Sequence, residues 1–180
     1  MSHKFPLPLQ DTFDRLYEEY QSDPAHGPWD TYISEGLQLL QGQEVDFSRP
    51  AQESDKLYMN IGGNDVIEVG HPPVPEEAQE FYRPGAPTVR SGTVGAGKPV
   101  IQEDALRQDF SLRHNCVSFD TEFDQVLESI VGNRKDSFAF IRGVSDYLDG
   151  SKNTQWSPYS ALAAAAFTKA LIEALPPPQA

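Results

Sequence analysis

The chain has 180 residues, with 14 basic side chains against 27 acidic ones and a formal net charge of -13. That length accommodates a single core of ordinary domain size, and the acidic balance repels phosphate backbones, so nucleic acid is not an expected partner. A single cysteine, Cys116, excludes an intramolecular disulfide framework and points to a reducing, cytoplasmic location; no signal-peptide pattern opens the chain, and no run approaches the roughly 18 apolar residues of a membrane span.

Residues 1–9 carry two prolines and little pattern. Phe13, Leu16, Tyr17 and Tyr20 then recur at helical spacing and predict a helix over Gln10–Tyr20, with Asp11 or Thr12 as its N-cap. Two prolines and a glycine between 21 and 28 break it. Tyr32, Ile33, Leu37 and Leu40 share one face and predict a second helix over Trp29–Gln41. Residues 1–53 are therefore expected to be a helical amino-terminal segment. The stretch 54–86 reads as a long, irregular surface excursion, because prolines interrupt both 71–79 and 83–87. Within it, Asp55–Asn60 suits a short strand ending at the Gly62-Gly63 turn.

From Pro87 the pattern sharpens into an α/β core over 87–176. Thr88–Val94 alternates like a strand and leads into Gly95-Ala96-Gly97-Lys98, which either makes a tight turn or lets backbone approach a ligand. It is not a phosphate loop, since the spacing of a Walker lysine and the hydroxyl residue after it are absent. A helix over 102–112 and a strand over 115–119 follow. The next helix starts at Asp120-Thr121-Glu122, carries Phe123, Val126, Leu127 and Ile130 on one face and stops at Gly132. Glu122 either caps this helix or offers its carboxylate to a ligand.

Ser137–Arg142 is aromatic and β-branched, as expected of a strand covered on both faces, and Gly143 permits a turn after it. Ligands of open α/β sheets sit beyond the carboxyl ends of strands, which makes Asp146 a candidate working residue; the alternative is a turn or cap aspartate. A polar loop over 150–155 precedes Ser157 as N-cap with Pro158 at the first helical position. An alanine-rich helix over 160–175 then ends at Pro176-Pro177-Pro178. The alternation of strand and helix across 88–175 predicts a single layered α/β domain. His3, His26, His71 and His114 lack metal-ligand spacing, so no metal is expected; His71, beside Gly70 and Pro72-Pro73, is the one histidine worth testing as a site residue.

Three runs taken together, Ser118–Glu122, Phe140–Asp149 and Lys152–Phe167, resemble the carboxyl-terminal half of the purine nucleoside phosphorylase and nucleosidase superfamily, above all its fungal-type members. The resemblance covers about residues 86–176. It implies a three-layer αβα sheet, truncated because the amino-terminal half with its glycine-rich phosphate strand has no counterpart before Pro87. It also implies that Glu122 binds ribose hydroxyls and that Asp146 protonates or hydrogen-bonds the purine N7, with Ser145 beside it among the ligand-binding residues. Gly95–Val100 corresponds to the stretch that contacts the base, which adds Ala96, Gly97 and Val100. Thr121 stands where the superfamily usually has a sugar-packing methionine, and Ala96 where it commonly has a serine. Arg142 resembles a strand-end arginine with a structural role. The implied reaction is cleavage of an N-glycosidic bond, by water rather than phosphate, without a cofactor. The alternatives are a non-catalytic binding or regulatory remnant, or an enzyme repurposed for another small metabolite. A truncated sheet exposes edges and apolar faces, which either a homodimer or the helices over 10–41 would cover, and a small nucleoside-like molecule is the other expected partner.

Overall fold

The computed structural model describes residues 8–23, 26–62, 65–74, 76–79, 82–97, 104–132, 138–147 and 154–177. Residues 1–7, Gly63 of the expected turn, Lys98 to Val100, the start of the expected 102–112 helix, Ser137, Asp149, most of the 150–155 loop and Pro178 lie outside them. In chain order the elements are α1 (Pro8–Ser22), α2 (Asp30–Leu39), a short 3-10 turn (Gln52–Ser54), β1 (Leu57–Gly62), β2 (Asp65–Val69), α3 (Glu76–Gln79), β3 (Thr93–Ala96), α4 (Asp104–His114), β4 (Cys116–Asp120), α5 (Phe123–Gly132) and α6 (Ser157–Ala174). The chain is thus mixed helix and strand, an α/β composition, and its described sheets are two-stranded. It divides into two compact units, Met1–Thr88 with Ala139–Ala180, and Val89–Phe138.

The first unit is built on α6, which packs against both α1 and α2. Small alanines on α6, among them buried Ala166 and Ala170, let the neighbouring backbones approach, and the aromatic residues fill what remains. Trp29 and Tyr20 are the most deeply enclosed, at 1% and 2% exposure. The Trp29 ring lies 5.0 Å from Tyr20 and 5.2 Å from Phe167, within the range of favourable aromatic pairs. Arg83 closes this cluster: one guanidinium nitrogen is 2.6 Å from Asp30 Oδ2, the other 3.4 Å from Oδ1, and the group lies 5.3 Å over the Tyr20 ring.

The helix starts differ from expectation. α1 begins at Pro8, whose fixed φ suits a first helical turn, so Asp11 and Thr12 lie inside it rather than capping it; the Thr12 hydroxyl donates to the Pro8 carbonyl at 2.6 Å. In α6 the capping position falls on Trp156, with no side-chain cap bond, and Ser157 is already helical. The α6 end agrees with the sequence: Leu175 turns to an extended conformation, ψ 143°, ahead of Pro176.

The excursion at 54–86 is more ordered than its prolines suggest. β1 pairs antiparallel with β2, Leu57 opposite Val69 and Met59 opposite Ile67, with a bulge after Asn60. The return strand escaped notice because Asp65–Val69 is only five residues long and alternates poorly. Met59, Ile61, Val66 and Ile67 are each close to half exposed.

Over its described residues, 138–142, the expected strand Ser137–Arg142 is not formed. Residues 138–147 carry neither helix nor strand, which also removes the strand end that was to present Asp146. A strand covered on both faces needs hydrogen-bonded neighbours along its edges, and the described strands of this unit, β1 and β2, pair only with each other. The stretch 139–147 is fixed by side-chain and close backbone contacts instead. Gly143 lies so close to α6 that a Cβ on it would stand 2.1 Å from the Ser160 carbonyl oxygen. The Arg142 guanidinium stacks 5.7 Å over the Phe140 ring.

The second unit is a βαβα run. β3 and β4 are parallel, and parallel neighbours require a crossover, which α4 supplies while packing on both strands. Asn115, with φ 50°, takes the left-handed conformation that ends a helix before β4 begins. β3 starts at Thr93 rather than Thr88 and includes Gly95 and Ala96, so the first half of the expected 95–98 turn is strand, and Lys98 lies outside the described residues.

Candidate functional site

Because β3 and β4 run in the same direction, their carboxyl ends form one rim. Ala96 pairs with Asp120, and the Gly97 amide donates to the Asp120 carbonyl at 3.3 Å. Gly97 has φ 122°, a conformation that a residue with a Cβ enters only under strain. The next two residues on the β4 side are Thr121 and Glu122. Of the sequence-predicted site residues, the fold therefore collects Ala96, Gly97, Thr121 and Glu122 in one place; Val100 lies outside the described residues.

The same geometry decides what Glu122 does locally. Asp120 Oδ1 accepts from the backbone amides of Glu122, at 2.9 Å, and Phe123, at 2.8 Å. The Asp120 carboxylate thereby satisfies the first amide of α5, as a capping side chain does. The Glu122 side chain is exposed, next to a helix amino terminus that favours a carboxylate. Asp120→Ala is expected to cost about 0.5–2 kcal/mol. Glu122→Ala should change stability by no more than about 0.5 kcal/mol. Urea-unfolding midpoints check both; equal losses would mean that the cap is shared.

Ser145 and Asp146 belong to the first unit, on the irregular 138–147 segment. Ser145 is half-buried and Asp146 exposed. Beside them stands a group that spacing in the sequence did not reveal. The Tyr147 hydroxyl donates to Asp55 Oδ1 at 2.8 Å, across 92 residues of chain. His71 Nε2 is 2.9 Å from the Asp55 carbonyl oxygen and 3.7 Å from its carboxylate. The one histidine singled out in the sequence thus has a carboxylate and a phenol for neighbours, brought together by the hairpin between Asp55 and His71.

A surface cavity of about 510 Å³ lies after α2, lined by Leu37, Leu40, Gln41, Val45 and Phe47 among others, and none of the predicted site residues borders it. Its walls carry one ionisable group, Asp46, so it offers little for catalysis. Among the described residues no three His, Cys, Asp or Glu side chains converge as metal ligands. No helix among them is long and apolar enough to cross a membrane. Compared with family models, with curated proteins and with solved structures, the chain matches none.

Proposed function

We propose that the chain is a nucleoside phosphorylase-like or nucleosidase-like protein that takes a purine nucleoside-like ligand at the rim formed by the ends of β3 and β4. The observation that carries this reading is Glu122: its side chain is exposed, two residues past the end of β4, and its amide donates to the Asp120 carboxylate at the parallel-strand end. A carboxylate so placed accepts from a pair of sugar hydroxyls, and bonds to a charged acceptor are among the stronger ones. The proposal includes the three-layer αβα sheet of that superfamily, of which the β3-α4-β4-α5 run would be a part, and a cytoplasmic location, which the single free thiol Cys116 favours.

The catalytic form of the proposal rests on the resemblance alone and on no placement of one unit against the other: an acid in the role that the resemblance gives Asp146 donates a proton to the purine N7 as the N-glycosidic bond breaks toward the base. Water adds to the anomeric carbon, and its proton returns to the carboxylate. General acid assistance of this kind contributes about 10²- to 10⁴-fold. A second reading, a binding or regulatory protein without turnover, is favoured by the exposure of Asp146 and by the missing strand before it.

Calorimetry with adenosine, inosine and guanosine, and chromatography for released base with and without phosphate, separate the two. Saturable binding that Glu122→Ala weakens about 10- to 100-fold supports the site. Base release abolished by Asp146→Asn supports the enzyme, and binding without release the second reading. Neither binding nor release across the panel would end the nucleoside proposal.

A homodimer belongs to the same proposal, supported by the half-exposed Met59, Ile61 and Ile67 of the hairpin. Light scattering is expected to give twice the 20.0 kDa of one chain; a monomer mass at micromolar concentration counts against it.

A further inference from the structure

We propose that Asp55, His71 and Tyr147 form a latch that ties the segment carrying Ser145 and Asp146 to the base of the β1-β2 hairpin, with Asp55 and Tyr147 as positioning residues for Asp146. That Asp146 meets a nucleoside base rests on the reading above; the latch itself does not.

Asp55 precedes β1 by two residues and His71 follows β2 by two, and the Leu57–Val69 pairing brings both to the same end of the hairpin. A carbonyl oxygen only accepts, so His71 Nε2, 2.9 Å from the Asp55 carbonyl, carries the proton there. The Asp55 carboxylate, 26% exposed, then faces Nε2 at 3.7 Å on one side and receives the Tyr147 hydroxyl at 2.8 Å on the other. The imidazole and phenol rings close the triangle at 5.5 Å. Pro72 behind His71 restricts the imidazole's own backbone to extended conformations.

The latch is placed where it has an effect. Residues 138–147 have no ladder hydrogen bonds to hold them, so their position depends on the few anchors they do possess. Gly143 against the Ser160 backbone is one of them. The Tyr147 hydroxyl on Asp55 is another. Ser145 and Asp146 lie between these two anchors, so the link through Asp55 contributes to where the Asp146 carboxylate is held.

Amide hydrogen exchange over 139–147 in the full chain tests this. Tyr147→Phe keeps the ring and loses only the hydroxyl; it and Asp55→Ala are each expected to speed exchange about 5- to 10-fold. The double variant should exchange no faster than Asp55→Ala alone, since both remove one shared bond. Asp55→Asn keeps an acceptor oxygen and should restore most of the protection, which a loss of general packing would not do. Lys56→Gln, which breaks an exposed 2.8 Å bond to Glu68 elsewhere on the hairpin, should leave the segment unchanged. Wild-type exchange in Tyr147→Phe, or single effects that multiply in the double variant, would overturn the latch. In the same samples, adenosine affinity that falls with protection supports the positioning role. A latch that responds while adenosine fails to bind would leave the latch standing and end the nucleoside reading.

Discussion

Trp29→Ala is expected to destabilise the helical unit by about 3–5 kcal/mol, the usual cost of emptying a large aromatic site in a close-packed core. Few side chains in the chain are so enclosed, and the indole joins three elements: it contacts Tyr20 of α1 and Phe167 of α6 from its place at the head of α2. Removing it also strips the support from Tyr20, over which the Arg83 guanidinium lies while it pairs with Asp30. Because domains of this size hold only about 5–15 kcal/mol in total, the variant should lose a large share of its far-UV helix signal at a urea concentration the wild type tolerates. Trp29→Phe sharpens the test. The indole Nε1 is buried with no hydrogen-bond partner among the described residues, so the smaller ring leaves a cavity but removes an unsatisfied donor, and these offset one another. That variant is expected within about 1.5 kcal/mol of wild type. A Trp29→Ala loss below about 1 kcal/mol would show that the cluster does not hold the three helices together.

The first two of those helices were legible in the sequence because each buries one stripe at a 3.6-residue period, and a periodic stripe needs no knowledge of its partner: Leu16 and Tyr20, and Ile33, fall where the spacing puts them. α6 was legible from its alanines and the prolines after it. The rim of β3 and β4 was legible in part for a different reason: an acidic residue and a glycine at strand ends are local signals, and parallel pairing then joins them. Capping was less readable. Asp120 and Glu122 offer the same chemistry two residues apart, and only the direction in which the backbone leaves β4 selects Asp120.

The 138–147 segment shows where local reasoning stops. Its residues favour a strand, but a strand is a relation between segments, and propensity for a pleated surface forms nothing without an edge to pair with. The Asp55–Tyr147 bond is non-local in the same way: the two residues are 92 apart, and neither carries a mark of the other. In the sequence Gly143 marks a place where the backbone turns easily. Its lack of a side chain is needed because a helix backbone lies against it.

Gly143→Ala is accordingly expected to cost about 1–3 kcal/mol or more, the range for forcing extra volume into filled space. The added methyl would meet the Ser160 carbonyl oxygen at 2.1 Å, its carbon at 2.5 Å and its Cβ at 2.8 Å. Two of these atoms are backbone inside α6, which has Leu162, Ala166 and Phe167 of the core farther along it, so the helix cannot yield cheaply. The segment must move instead. The loss should therefore appear first as faster amide exchange in 139–147, and only then as a lower unfolding midpoint. Gly70→Ala is the matched comparison within the same unit: no atom lies within 4 Å of its added Cβ, and narrowing the unfolded ensemble should leave it neutral or stabilised by about 0.4–1 kcal/mol. Equal behaviour of the two variants would mean that 139–147 does not rest on α6.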